Sequence, residues 1–187
     1  MPGVLKLEGT NIATGDGNGA VTLSSGVNFP AGHILQVKST TKTDKFQTTN
    51  QSYTLVTGLT VDITPSSSSN KVLVSAMVNV SNNTANFVYV SLRRGTSTDI
   101  LVGDAVSNQQ QASAMTFIAG LGNTGSIITI PFQFLDSPNT TSVTTYGIYI
   151  KCADPGHAFV NRSYRDSASG SYDVTVPSTI TAMEVKE

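Results

Sequence analysis

The sequence predicts an all-β protein: an antiparallel, jelly-roll-like β-sandwich behind a short extended N-terminal arm. Three observations lead there. Charged residues are only 12% of the 187, against roughly a quarter in ordinary globular chains. Ser, Thr and Asn supply the missing polarity, and Thr suits strands while Ser and Asn suit turns. Apolar residues alternate with polar ones at period two in segment after segment. No segment holds a helical period over three turns; QQQASAM comes nearest, and Asn108, Ser113 and Gly120 interrupt it.

The elements follow in order. In residues 1–31 short apolar pairs stand among Gly, Asn and Ser, and Val4, Leu5, Leu7, Ile12, Val21, Leu23, Val27 and Phe29 are too dispersed to close a core. This stretch reads as an arm or stalk, with Gly15–Gly19 as a turn inside it. Residues 32–187 read as the head. HILQVKSTTK opens it. YTLVTGLTVDITP places Leu59, Val61 and Ile63 on one face, and Pro65 with Ser66–Asn70 stops it. NKVLVSAMVNVS is the clearest strand, with Val72, Val74, Ala76, Val78 and Val80 sharing a face. After a turn at Asn82 and Asn83, FVYVSLRR points Val88, Val90 and Leu92 inward and Phe87, Tyr89 and Arg93 outward. DILVGD and AMTFIAG read as shorter strands. IITIPFQFLD alternates Ile128, Ile130, Phe132 and Phe134, and its Pro131 calls for an edge or a bulge because proline cannot donate to a ladder. DSPNT turns the chain, TTYGIYIK aligns Tyr146, Ile148 and Ile150, and STITAMEV closes it. Eight to ten strands at this spacing fit a sandwich or barrel. Without crossover helices the strands pair antiparallel.

Composition narrows the function classes. The formal charge is −1 with no basic run, so no footprint for nucleic-acid phosphates exists. The longest apolar runs are far below a membrane span, so no membrane insertion by a helix is expected. MPGVLKLEGT lacks the pattern of a secretory signal. A single cysteine, Cys152, forbids an internal disulfide. His33 and His157 stand in no metal-ligand spacing, so neither metal nor cofactor is expected. Asp154 near His157 in CADPGHAF reads as a Pro-Gly turn rather than half a site. No GxSxG elbow marks a nucleophile. With three Glu and nine scattered Asp, the paired carboxylates of a depolymerase have little support, and no catalytic residue is assigned. The Asn-x-Ser/Thr sequons at Asn50, Asn79, Asn82, Asn139 and Asn161 fall where chance puts them in so polar a chain. Phe87, Tyr89, Tyr149, Tyr164 and Tyr172 are the candidate exposed aromatics, suited to stacking on sugar rings or to filling a subunit interface.

The segments FPAGHILQVKSTTKTDKFQTT (Phe29–Thr49), TGLTVDITPSSSSNKVLVSAMVNVS (Thr57–Ser81), RRGTSTDIL, LDSPNTTSVTTYGIYIK and STITAMEV, in that order, resemble the predicted tail-fibre and virion structural proteins of marine and cyanobacterial bacteriophages. The resemblance covers most of residues 29–187. It implies a non-catalytic virion subunit, tail-fibre-like or a short capsid fibre, made in the bacterial host cytoplasm and acting in particle assembly and host-surface attachment. It also implies a homotrimer. The arm residues Val4, Leu5, Leu7, Val21, Leu23, Val27 and Phe29 would then meet other copies or other virion proteins, and a host surface glycan would be a possible partner. A capsid decoration or cement protein and a stand-alone carbohydrate-binding sandwich are the rival readings.

Overall fold

The computed structural model describes residues 3–16, 18, 21–23, 29–83, 86–118, 126–153, 155–168 and 173–187. Among them there is no helix, and the fold is all-β. The chain divides into two compact units, Met1–His33 and Ile34–Glu187.

The first unit is an antiparallel meander of β1 (Val4–Leu7), β2 (Thr10–Gly15) and β3 (Val21–Leu23). Leu7 pairs with Thr10, so Glu8 and Gly9 form a two-residue hairpin loop. Both have positive φ, 48° and 84°. Two positive φ values are the mark of a type I′ turn, whose twist matches the strands it joins.

The second unit begins with β4 (Ile34–Lys42), β5 (Phe46–Thr48), β6 (Thr54–Ile63) and β7 (Lys71–Asn82). Next come β8 (Asn86–Arg94), β9 (Thr98–Asp99), β10 (Ala114–Ile118) and β11 (Ile128–Asp136). It ends with β12 (Thr144–Cys152), β13 (Ala158–Val160) and β14 (Ser178–Val185). All pairings are antiparallel. β13 and β14 lie on the same side of β7: Val160 pairs with Val80, Asn161 N–H donates to Asn79 O, and Thr179 pairs with Met77. They are two halves of one strand line, interrupted by residues 162–177. The neighbouring line is divided likewise into β4 and β5, which pair with β14 and β13. Counted as lines along the chain, with β9 a short appendage on β8, the first sheet has the order 1-8-3-6 and the second 2-7-4-5. These interleaved orders are those of the eight-stranded jelly roll with its two Greek keys.

Alternation explains why the two sheets pack. Val72, Val74, Ala76, Val78 and Val80 of β7 are buried, as are Val88, Val90 and Leu92 of β8, and Val56, Leu59, Val61 and Ile63 of β6. Ile130 and Phe132, Tyr146, Ile148 and Ile150, and Ile180 and Ala182 complete the core. Pro131 sits in regular register opposite Met77. Among the described residues β11 pairs only with β7, so its proline lies on a sheet edge. One expectation fails. DILVGD is not a strand beyond Asp99; Ile100 and Leu101 instead tuck against the core as half-buried loop residues.

Polar ties fix one end of the sandwich. Asp136 of β11 accepts Arg94 Nη1 at 2.8 and 3.0 Å and Tyr146 Oη at 2.7 Å, joining the first sheet to β8 and β12 of the second. Glu184 is only 1% exposed. Its carboxylate accepts Ser66 N–H, Ser66 Oγ, Asn70 Nδ2 and Gln36 Nε2, each at 2.6 Å. That satisfies a buried charge with four donors and pins the β6–β7 turn to β14 and β4.

Candidate binding face

Because β8 turns Val88, Val90 and Leu92 into the core, its other face carries Phe87, Tyr89, Ser91 and Arg93. Register then assembles a surface. Lys151 of β12 stands opposite Tyr89, Tyr149 opposite Ser91, and Gly147 opposite Arg93. On the other flank Met115 and Phe117 of β10 stand opposite Tyr89 and Phe87. Leu55 of β6 faces Tyr149, and Tyr53 precedes that strand. At Gly147 an added Cβ would come within 3.2 Å of both Leu55 and Thr60, so a glycine there lets the flanking side chains close over the strand.

Two cations lie among the rings. The Arg93 guanidinium is 4.7 Å from the Tyr53 ring centre and 4.8 Å from that of Tyr149. The Lys151 ammonium is 4.8 Å from the Tyr53 ring and 5.1 Å from the Tyr89 ring. Attraction to the ring faces holds both heads over the sheet. Asp99 balances Arg93, accepting its Nε at 2.8 Å and also the Ser91 hydroxyl. Burial pushes the Asp99 carboxyl up, but the hydrogen bonds from Arg93 and Ser91 outweigh it and hold it below the ordinary range. The loop between β9 and β10 closes the margin: Tyr53 Oη donates to Gln111 O at 3.0 Å, and Lys151 Nζ donates to Gln110 Oε1 at 2.6 Å. Burial, reinforced by Asp99, raises the Tyr53 phenol to about 12. Burial lowers the Lys151 amine. Beside Lys151 a cleft of about 380 Å³ opens, lined by Gln51, Tyr89, Gln110, Lys151, Cys152 and Ala153.

Comparison with known proteins adds little to this geometry. No protein-family model matches the chain, and no curated protein does. A solved structure titled "Structure of infectious bursal disease virus Gt strain" is similar at a TM-score of 0.39 and 10% identity. The match covers 90% of this chain and 45% of that one, so the chain spans less than half of its length. A likeness that loose carries no functional argument.

Of the sequence-predicted aromatics, Phe87, Tyr89 and Tyr149 share this face, with Phe87 also packed on Phe117 at 4.7 Å between ring centres. Tyr164 is elsewhere, in a cluster on the first sheet where it lies 6.1 Å from Phe159, itself beneath the Arg162 guanidinium. Tyr172 lies outside the described residues, as does Val27 of the arm set. In the first unit Val4, Leu5 and Val21 are 46%, 63% and 67% exposed. Phe29 stacks on His33 at 4.4 Å. Leu7 and Leu23 fall in β1 and β3, and their side chains are outside the description. His157 is far in sequence from His33 and donates its backbone N–H to Asn83 Oδ1. Cys152 is buried, its thiol directed at Thr48 O and Gly156 O; burial raises its pKa. The sequence reading did not single out Tyr53, Lys151, Gln51 or Gln110. Lys151 was within reach, since it shares the parity of Tyr149 along β12. Gln110 was not, because loop residues carry no such parity.

Proposed function

We propose that the chain is a structural subunit of a bacteriophage particle that works by surface complementarity in assembly and host attachment, without catalysis. The observation that carries this reading is the outer face of the second sheet, where Tyr89 and Tyr149 on the strands, and Tyr53 just before β6, are held beside Arg93 and Lys151. Its groups are suited to contact rather than to bond-making: both cations lie against ring faces, and Arg93 is paired with Asp99. The jelly roll is an architecture used for both capsid and lectin domains. That association fits the ordered resemblance of residues 29–187 to phage fibre and virion proteins. Fold alone does not assign function, so the reading leans on the face and on that resemblance together.

The finer assignment is a tail-fibre-like or short capsid-fibre protein, made in the host cytoplasm and acting as a homotrimer. The exposed Val4, Leu5 and Val21 of the first unit support contacts with other copies or with neighbouring virion proteins, since each such side chain gains about 1.5–3 kcal/mol when fully buried. Decoration of a capsid is the second reading, and it uses the same exposed residues. Gold-labelled antibody against the purified protein, applied to particles that carry this sequence, tests both. Label at the tail or at capsid projections is expected for a fibre, and label over the whole capsid for a decoration protein. Particles that stay unlabelled while the lysate contains the protein would refute a virion role. Light scattering on the full chain should give three times the protomer mass.

A further inference from the structure

We infer that the cleft beside Lys151 binds a carboxylate-bearing sugar, with Lys151 on the acid group, the Tyr89 ring under the pyranose, and the Gln51 and Gln110 carboxamides on its hydroxyls. This rests on the attachment reading above and names the ligand class for the same face.

The charge argument comes first. Arg93, the other cation of the face, is matched by Asp99 at 2.8 Å. Among the described residues no carboxylate lies within ion-pair distance of Lys151; its near neighbours are the Gln110 carbonyl and two tyrosine rings. A half-buried ammonium whose direct contacts are neutral, with Arg93 and Asp99 acting on it in opposite senses from beyond ion-pair distance, leaves a positive charge that an incoming anion would satisfy, and a charge-assisted hydrogen bond is among the strongest single contacts available. The lowered pKa of its amine agrees with that partial desolvation.

Shape and donor chemistry then select a sugar. The cleft holds about 380 Å³, within the roughly 300–1,000 Å³ of small-ligand sites. Tyr89 is half-buried, leaving ring surface for the C–H face of a pyranose, an apolar contact with a polar rim. A carboxamide offers both donors and acceptor, which suits hydroxyls that both give and accept. Gln51 is anchored on one side by its donation to Ala153 O at 3.2 Å, and Gln110 by its acceptance from Lys151. Both are therefore positioned before a ligand arrives. Phosphate is disfavoured because the bidentate guanidinium that best recognises it is already engaged with Asp99.

The test is isothermal titration of the full chain with galacturonic-acid oligomers and with the same oligomers after carboxyl reduction. Binding of the acidic form, and at least about tenfold weaker binding of the reduced form, is expected. Lys151→Met keeps the apolar stem, so it should melt like the parent protein while losing about tenfold or more in affinity for the acidic oligomer. Gln51→Ala should weaken both forms. Equal binding of the two oligomers, an unaltered Lys151→Met, or binding of poly-glutamate as tight as that of the sugar would overturn the inference, and so would silence towards every acidic saccharide tried. Adsorption of the labelled protein to host cells is measured alongside. Adsorption without discrimination between acidic and reduced sugar sinks this inference alone. Acidic-sugar binding by a protein that neither labels particles nor adsorbs to cells sinks the attachment reading and leaves the cleft assignment standing.

Discussion

At the scale of single residues, Asn161 shows what chemistry a strand interruption demands. It is fully buried, with φ at 65°, a left-handed conformation that asparagine tolerates better than most residues. Its Nδ2 donates to Lys42 O at 2.8 Å and Asp44 O at 3.0 Å, the last carbonyl of β4 and one inside the break before β5. Its Oδ1 accepts Ser178 Oγ at 2.6 Å, and that hydroxyl accepts Asn79 N–H at 2.9 Å. One side chain thus satisfies the backbone groups freed where two adjacent strand lines stop pairing. Asn161→Gly keeps the favourable φ and removes the amide; leaving these groups unpaired should cost about 1–3 kcal/mol. Asn161→Ala should cost about 1–2 kcal/mol more, because alanine bears the left-handed strain as well. Urea melts of the pair separate the two contributions, and an alanine variant as stable as the glycine variant would remove strain from the account. In sequence this residue is just one Asn-x-Ser among five such sequons. Its role is set by Lys42 and Asp44, more than a hundred positions away, and no local pattern encodes that.

At the scale of elements, legibility follows periodicity. β7, β8, β11, β12 and β14 were readable because each runs for eight or more residues and places apolar residues at alternate positions of its buried face. β5 and β13, three residues each, are too short to show a period and become strands through pairing: β5 with β13, and β13 with β7 as well. The run Asp99–Asp104 misled for the opposite reason: Ile100 and Leu101 are apolar because a loop buries them, not because a strand alternates. The binding face was half legible. Parity along β8 put Phe87, Tyr89 and Arg93 together, whereas the arrival of Tyr53 and of the Gln110 loop depends on the jelly-roll order of strands, which local sequence does not carry. Parity also makes a sharp test. Val74 is fully buried and Ser75, its neighbour on β7, points outward. Val74→Asp should abolish cooperative unfolding, since a carboxylate there has no partner in an apolar core. Ser75→Asp should change stability by no more than about 0.5 kcal/mol. Similar losses from both would mean that β7 is not presented as described.

At the scale of the whole molecule, the titrating groups predict a stability plateau with a different cause at each side. On the acid side Glu184, Asp99 and Asp173 all sit below their ordinary values. Burial pushes Glu184 up, but hydrogen bonds from Ser66, Gln36 and Asn70 together overcome it. Asp173 is held at about 2, first by Arg165 and then by Ser163 and the Ser167 N–H. A carboxyl lowered by folding takes up its proton first in the unfolded chain, so stability falls as pH drops below the ordinary values of 3.8 for Asp and 4.5 for Glu. The loss is complete once pH has passed the folded-state values. On the alkaline side Cys152 and Tyr53 are raised by burial, and Tyr146 by burial and then by its hydrogen bond to Asp136. The unfolded chain loses these protons first, from 9.0 for the thiol and 10.0 for the phenols, so stability falls again as pH rises through that range. Lys151 opposes this, because its lowered amine deprotonates first in the folded state and relieves a buried charge below 10.5. Thermal melts should therefore be level from about pH 5 to 8 and decline on both sides. Glu184→Gln should cost about 1–3 kcal/mol at neutral pH, because an amide group would face donors that now meet a carboxylate, and its acid decline should be shallower than that of the parent. Tyr146→Phe should make the alkaline decline shallower, leaving the part that Cys152 and Tyr53 cause. A melting temperature that rose between pH 5 and 3 would show that these carboxylates are not held in their charged form by the fold.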